Sequence, residues 1–475
     1  MTADPTILTK SDFLEARDCP SSYWLTRRRP EKFPRRAPGP YDLMLMEEGK
    51  VAHSRARRWL AEVRHGSELR FEEAFESGCG LHARADAVEH RHDGAIDIIE
   101  IKASTKPEDH IIDIAFQKVV AQRCGHDVAD CLIAHLNPEY RVGITDETSL
   151  FVLRDVTSEV GEIEKRIGEE ADAILMLLAS ERIEEAGCEC RYRGSIARRC
   201  SAFNHLNRDL GVRTAHLLPN ISASRLRKLD GEGRLSLDRM TFDDVTNNQA
   251  PHLEALQTRQ PVIDHDKLAS FLDGLTWPLH FYDYETHARA VPIARGHGPY
   301  IQVPVQFSLH ILDRAGGLTH HEHLSHAEGE EAKLVASLAA AAGSPGSFIA
   351  WNMAFEKGRN RALGDLLPEA RPFLDDISER TVDLMLPFKN SYVHPAFAGS
   401  ASIKKVLPVI CPHLSYSEDG VHDGAGAMAA WREMVESEDG DRGASLRKQL
   451  LEYCELDTFA MVEILRFLER QMKRP

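Results

Sequence analysis

Residues 95–102, AIDIIEIK, constrain this chain more tightly than any other stretch. Ile98, Ile99 and Ile101 demand a buried strand, and the turn signal HDG at 92–94 opens it. Unpaired charge inside such a strand is costly, so Glu100 and Lys102 need partners. Residues i and i+2 project from one side of a strand, so these two point together. A hairpin with the preceding strand, HARADAVEH at 82–90, brings Asp86 alongside. Two carboxylates offer hard oxygens to Mg²⁺ or Mn²⁺. A neighbouring lysine can then position water and offset charge at a phosphate. The same Glu-x-Lys pair also suits a solvated strand face in a chain with 28% charged residues.

Around this pair the order is helix (EEGKVAHSRARRWLAEV, 47–63), strand, turn, strand, helix (110–125) and strand (131–137). That order predicts a compact α/β domain over residues 1–200, with a long charged helix at 160–187. Residues 201–275 are polar and turn-rich and read as a helical connector. From 277 the texture changes to WPLHFYDYET, a buried strand. IQVPVQFSLHIL follows as a second strand, broken at Pro304, and HHEHLSH as a third. Alternating helix and strand and one long final helix complete a second α/β domain over 276–475. A length of 475 residues suits two or three domains.

Composition narrows the function classes. A hydrophobic share of 43% excludes disorder as the main state. Lys and Arg number 58 against 74 Asp and Glu, a net charge of −16. That excludes a uniformly basic coat but not a local basic groove. No run approaches the roughly 18 apolar residues of a membrane span, and the start lacks a secretory h-region. Nine unevenly spread cysteines in such a chain predict reduced thiols or metal ligands in a cytoplasmic protein with no membrane partner. Cys79, Cys124, Cys131, Cys411 and Cys454 read as small apolar fillers. Arg191, Arg193, Arg198 and Arg199, with no acid among them, and the basic N-terminal stretch suit a phosphate-tracking patch or a solvated basic face. Tyr23, Trp24 and Tyr192 suit base stacking or the core.

A second acidic constellation sits in the second domain. Asp283 and Glu285 share a strand face. Asn352 and Glu356, and Tyr453 and Asp457, are each i, i+4 pairs on helices. Carboxylates converging from one strand and two helices can hold two cations about 3.5–4 Å apart. Asp383 is a weaker candidate for a fourth ligand.

The order Gly49-x3-His53, Asp86, Glu100-x-Lys102, Gln117 resembles the RecB-like branch of the PD-(D/E)XK nucleases. The resemblance implies His53, Asp86 and Glu100 as metal ligands, Lys102 as catalytic and Gln117 as supporting. The family's usual Tyr four residues after the Gln is Ala121 here. One early cysteine, Cys19, and three late ones, Cys188, Cys190 and Cys200, resemble the iron–sulphur subset of that branch. Four thiolates suit a 4Fe-4S cluster and also tetrahedral zinc, though C-x-C-x9-C is not a standard zinc ribbon. The second constellation resembles the DEDD exonucleases, which have a ribonuclease-H-like fold. Tyr453 fits their Tyr-bearing variety, since Glu452 stands where the other variety has His. This implies Asp283, Glu285 and Asp457 as metal ligands and Tyr453 as orienting the water, with Asn352 supporting. Glu356 replaces the usual Asp.

The runs DYET, PVQFSLHIL, WNMAFEKGRN, GSASIKKVLP and YCELDT together resemble a bacterial two-module family. GSASIKKVLP supplies Lys404 and Lys405 as phosphate contacts or exposed helix residues. The expectation is a PD-(D/E)XK restriction-endonuclease-like core plus a ribonuclease-H-like domain. Its activity would be that of a metal-dependent nuclease with two candidate active sites, one RecB-like and one a DEDDy-type 3′–5′ exonuclease, acting on DNA rather than RNA. A catalytically degenerate nucleic-acid clamp is the alternative. No helicase P-loop is present, so unwinding would fall to a helicase or a repair or defence partner.

Overall fold

A computed structural model describes residues 7–66, 68–193, 200–343, 345–416 and 420–472. The chain divides into two compact units, both mixed α/β. The first comprises Met1–Leu210, Arg289–Pro292 and Gly298–Tyr300. The second comprises Gly211–Ala288, Ile293–His297 and Ile301–Pro475. The stretch read as a connector is thus divided between them.

The first unit opens with β1 (Leu8–Thr9), α1 (Lys10–Asp18), α2 (Pro20–Arg28) and α3 (Pro40–Val63). Next come β2 (Glu68–Glu76), β3 (Leu81–His90), β4 (Ile96–Lys102), α4 (Ile111–Arg123), β5 (Val128–Leu136), β6 (Phe151–Asp155), α5 (Thr157–Ala179) and α6 (Phe203–Leu206). β2, β3 and β4 form an antiparallel meander. α4 carries the chain across to β5, which runs parallel to β4, and β6 returns antiparallel. β1 pairs in parallel with the start of β3. β4 is buried on both faces, as its isoleucines require. Ile98 packs with Phe13, Ile114 and Phe116, while Ile99 and Ile101 pack with Ala52, Ala56 and Leu60 of α3.

α3 starts earlier than the sequence pattern suggested. Pro40 occupies its first turn, and the Asp42 carboxylate accepts from the Gly39 amide at 2.8 Å. His53 therefore lies in mid-helix rather than near a helix start. α5 is shorter than expected and ends at Ala179, where Ser180 turns extended.

The second unit contains α7 (Ala223–Gly231), α8 (Ala250–Thr258), β7 (Val262–Ile263), α9 (His265–Asp273), β8 (Leu279–His287), β9 (Val303–Leu312) and β10 (Leu318–Leu324). α10 (Glu331–Ala341), β11 (Phe348–Ala350), α11 (Met353–Leu366), α12 (Arg371–Arg380), β12 (Thr381–Asp383), α13 (Leu386–Asn390) and β13 (Tyr392–Val393) follow. α14 (Ile403–Ile410), α15 (Gly424–Glu436) and α16 (Gly440–Met472) end it. Its main sheet has the order β10-β9-β8-β11-β12, with β8–β10 antiparallel and β8, β11 and β12 parallel. β9 runs through Pro304 rather than breaking there. Pro304 opposes Thr286, where the ladder shifts after Glu285, because proline has no N–H to give. α16 packs on β8 and β9, with Ala460, Met461, Ile464, Leu465 and Leu468 on its buried face. No helix among the described residues is long and apolar enough to cross a membrane.

Candidate active sites

In the first unit the hairpin delivers the expected carboxylates. Asp86 Oδ2 accepts from the Ile101 amide at 2.8 Å, and Oδ1 lies 3.3 Å from His53 Nε2 on α3. Burial would raise the Asp86 pKa, but the His53 and Ile101 bonds hold it below the ordinary range. The bond to Asp86 raises His53 in turn. Glu100 is 1% exposed and fully engaged. Its Oε1 meets Lys10 Nζ at 2.5 Å and Lys102 Nζ at 2.9 Å, and its Oε2 accepts from Gln117 Nε2 at 2.5 Å. Lys102 also contacts Asp113 Oδ2 at 2.5 Å. Against the pull of burial, Glu100 and Asp113 push the Lys102 pKa up.

His53, Asp86, Glu100, Lys102 and Gln117 are thus brought together, with three residues that sequence reasoning missed. Asp113 is four residues before Gln117, on the same face of α4, and that spacing was legible. Lys10 lies 90 residues from Glu100 and carries no local signal. Glu72 adopts a left-handed backbone (φ 60) inside β2, uncommon for a residue with a long side chain. It lies 3.8 Å from His53 Nε2 and pairs with Arg57 and Arg84. Donor atoms of His53, Glu72 and Asp86 all lie within 4.8 Å of one another. One imidazole and two carboxylates fit a divalent cation.

Three of the four expected cysteines have sulphurs within 4.8 Å of one another, namely Cys19, Cys188 and Cys190. Cys19 ends α1, and Cys188 and Cys190 flank one another across a short turn. Cys200 meets Ser22 Oγ at 3.3 Å and acts electrostatically on Cys190. A hydrogen bond from Cys190 lowers Cys19 to about 6, and that same bond pushes Cys190 up. Thiols this close together are candidate ligands, since a metal binds the thiolate and releases its proton.

The arginines beside them are largely committed. Arg191 is bonded to Asp209 at 2.9 Å, and Arg193 lies 3.7 Å from Asp18. Arg198 and Arg199 lie outside the described residues. Tyr23 and Trp24 are core residues. Cys131, Cys411 and Cys454 are buried as expected of fillers. Cys79 is instead exposed, 3.1 Å from Ser77 Oγ and 3.7 Å from Arg123.

The second unit collects the other acids. Asp283 and Glu285 project from β8, Glu356 from the first turn of α11, and Asp457 from α16. Glu285, Glu356 and Asp457 are less than 9% exposed. Burial, with the Asp457 charge adding, raises Asp283 to about 8. Burial and the Asp283 charge raise Glu356 to about 9. Burial and the Asp283 charge lift Glu285 well above the carboxylate range. Burial raises Asp457 to about 6, opposed by hydrogen bonds from Tyr416 and Tyr453. Asp283 and Glu356 are close enough for each to shift the other's titration. Glu356 Oε2 is buried without a partner. The Cys454 sulphur lies 3.9 Å from Asp283 Oδ2. The carboxylates of this set fit a divalent cation.

Asn352 acts through its backbone. It is left-handed (φ 73), and its N–H donates to Asp383 Oδ1 at 3.0 Å. Met385 N donates to the same oxygen at 2.9 Å, so Asp383 closes this turn and sets the start of α11. Lys404 donates to the His422 carbonyl at 2.5 Å, and its charge lowers Glu285 and Asp457. Lys405 is exposed. Tyr416 was missed, being 41 residues from Asp457 in an irregular segment.

Residues 280–402 match a domain of unknown function, DUF2779. No curated protein matches the chain in sequence. Among solved structures, the chain is similar to one titled "Crystal structure of SSO0001". Identity is 13% over 42% of this chain and 84% of that one, with a TM-score of 0.25. It is also similar to an alkaline exonuclease, LHK-Exo, from Laribacter hongkongensis. Identity there is 14% over 37% of this chain and 92% of that one, with a TM-score of 0.26.

Proposed function

We propose that this chain is a metal-dependent nuclease with two candidate centres and that DNA is its substrate. The observation that carries this reading is the convergence of Asp283 and Glu285 from β8, Glu356 from α11 and Asp457 from α16 into one acidic cluster. Buried carboxylates so arranged are stable either protonated or around a cation. The strand order β10-β9-β8-β11-β12 supports a ribonuclease-H-like reading of the second unit. The β2–β3–β4 meander with the α4 crossover supports a PD-(D/E)XK reading of the first.

A divalent cation at the second centre would supply a water of lowered pKa and positive charge beside the scissile phosphate. The chain's own contribution is positioning. Tyr416 and Tyr453 hydrogen-bond Asp457 and favour its ionised form against the pull of burial. β8 holds Asp283 and Glu285 on one side of a strand, and α11 brings Glu356 against Asp283. Tyr453, hydrogen-bonded to Asp457, would orient an attacking water. In the first centre, Asp113 anchors Lys102 so that its ammonium stays at the carboxylates. Cys19, Cys188, Cys190 and Cys200 would hold a 4Fe-4S cluster, with zinc as the alternative.

The test is digestion of end-labelled single-stranded DNA and RNA in Mn²⁺ by anaerobically purified protein. Lys102→Ala, Asp283→Ala and the double variant run alongside wild type. Stepwise loss of cleavage supports two working centres. Unchanged digestion by the double variant defeats the reading. A second reading, that the first unit binds nucleic acid without cutting it, is favoured by the complete engagement of Glu100. It expects Lys102→Ala to digest like wild type.

A further inference from the structure

Beside the acidic cluster, the α16-facing side of the second unit's sheet carries a different donor set. His310 on β9 and His320 on β10 are direct cross-strand partners, so their side chains share a face. Their rings stack with centroids 4.3 Å apart. Glu455 on α16 brings Oε1 to 3.7 Å from His320 Nδ1. One donor atom from each of the three lies within 4.8 Å of the other two.

Hydroxyls behind the rings hold one nitrogen of each. Thr458 Oγ1 lies 3.1 Å from the Glu455 carbonyl and 3.4 Å from the Cys454 carbonyl. It is hydrogen-bonded to Ser308 Oγ at 2.7 Å and to His310 Nδ1 at 2.8 Å. Ser308 Oγ is in turn hydrogen-bonded to His320 Nε2 at 2.9 Å. These bonds engage Nδ1 of His310 and Nε2 of His320. The other nitrogen of each ring, Nε2 of His310 and Nδ1 of His320, is the one that can face a cation. Anchoring one ring nitrogen through a second group is how ligating histidines are held in the metallated tautomer.

We propose that His310, His320 and Glu455 form a binding site for a borderline transition-metal cation, Zn²⁺ or Co²⁺, distinct from the carboxylate centre. Two imidazoles and one carboxylate select such a metal over Mg²⁺, which prefers oxygen alone. The Glu455 side chain is about half exposed, which leaves solvent access for a further ligand.

The test is anomalous diffraction at the zinc edge from Zn²⁺-soaked crystals, with Zn²⁺ counted by equilibrium dialysis in solution. The expected result is a peak between His310 and His320, and one Zn²⁺ fewer bound by His320→Ala. Glu455→Gln, a surface change that leaves the core intact, should weaken the same site at least tenfold and covers the case where His320→Ala does not fold. Peaks confined to the cysteine and carboxylate clusters, with equal Zn²⁺ counts in wild type and Glu455→Gln, would overturn the proposal. So would nitrogen NMR showing His320 doubly protonated and unmoved by Zn²⁺, since a proton would then fill the gap to Glu455.

Discussion

On the proposed reading of the first centre, Lys10 competes with a cation for its carboxylates. Its ammonium contacts Glu100 at 2.5 Å and lowers both Asp86 and Asp113. Lys102 is held from a second side by Asp113, so Lys10 is the ammonium expected to yield to a metal. Lys10→Ala should raise Mn²⁺ affinity at this centre about tenfold, the equivalent of roughly 1.4 kcal/mol for removing one adjacent like charge. Mn²⁺ titration by electron paramagnetic resonance reads this directly, and unchanged affinity refutes the displacement. At the second centre, Tyr416→Phe removes a hydrogen bond that favours ionised Asp457. Its pKa should climb above about 6, and the acid limb of the pH–rate profile should move to higher pH. A profile superimposable on wild type would exclude Tyr416 from the site. Glu100, Lys102, Asp283 and Glu285 were legible because strand alternation places i and i+2 together. Lys10, Glu72 and Tyr416 were not, because only tertiary approach and an unusual backbone angle bring them in.

The elements explain what the sequence could show and what it hid. β4 and β8 announced themselves through apolar runs, and α16 through its periodic buried face. β2 did not, because Glu68, Glu72, Glu73 and Glu76 blur its alternation and glutamate is a poor strand former. β6 and the short α1 and α2 gave too few residues for a period to register. Yet α1 matters, because its start places Lys10. Thr9 caps that helix, with Oγ1 3.3 Å from the Asp12 amide and bonded to Asp12 Oδ2 at 2.7 Å. Thr9→Ala should cost about 1 kcal/mol of stability, a typical N-cap value. It should also loosen Lys10, so Mn²⁺ affinity should rise in the direction of Lys10→Ala. Urea unfolding checks the first effect and Mn²⁺ titration the second. Lost stability with unchanged affinity would separate the cap from the site.

At the scale of the whole molecule, the second unit's acids make folding a proton-binding event. Asp283, Glu356 and Asp457 have folded-state values of about 8, about 9 and about 6, whereas unfolded carboxylates titrate near 4. Between those limits the folded chain holds more protons than the unfolded one, so metal-free stability must fall as pH rises. The stability is fully present below about pH 4 and is lost progressively up to about pH 8–9. The slope is about 1.4 kcal/mol per pH unit for each proton retained. A divalent cation takes the place of those protons, so its stabilising effect should grow with pH across the same window. Calorimetry at about pH 5.5, 7 and 8.5, with chelator and then with excess Mg²⁺, tests both trends. Asp283→Asn, which cannot ionise, should flatten the metal-free dependence and shrink the Mg²⁺ effect. A melting temperature indifferent to pH without metal, or a Mg²⁺ shift equal at all three values, would mean that these acids do not retain protons and that the cluster is not a cation site.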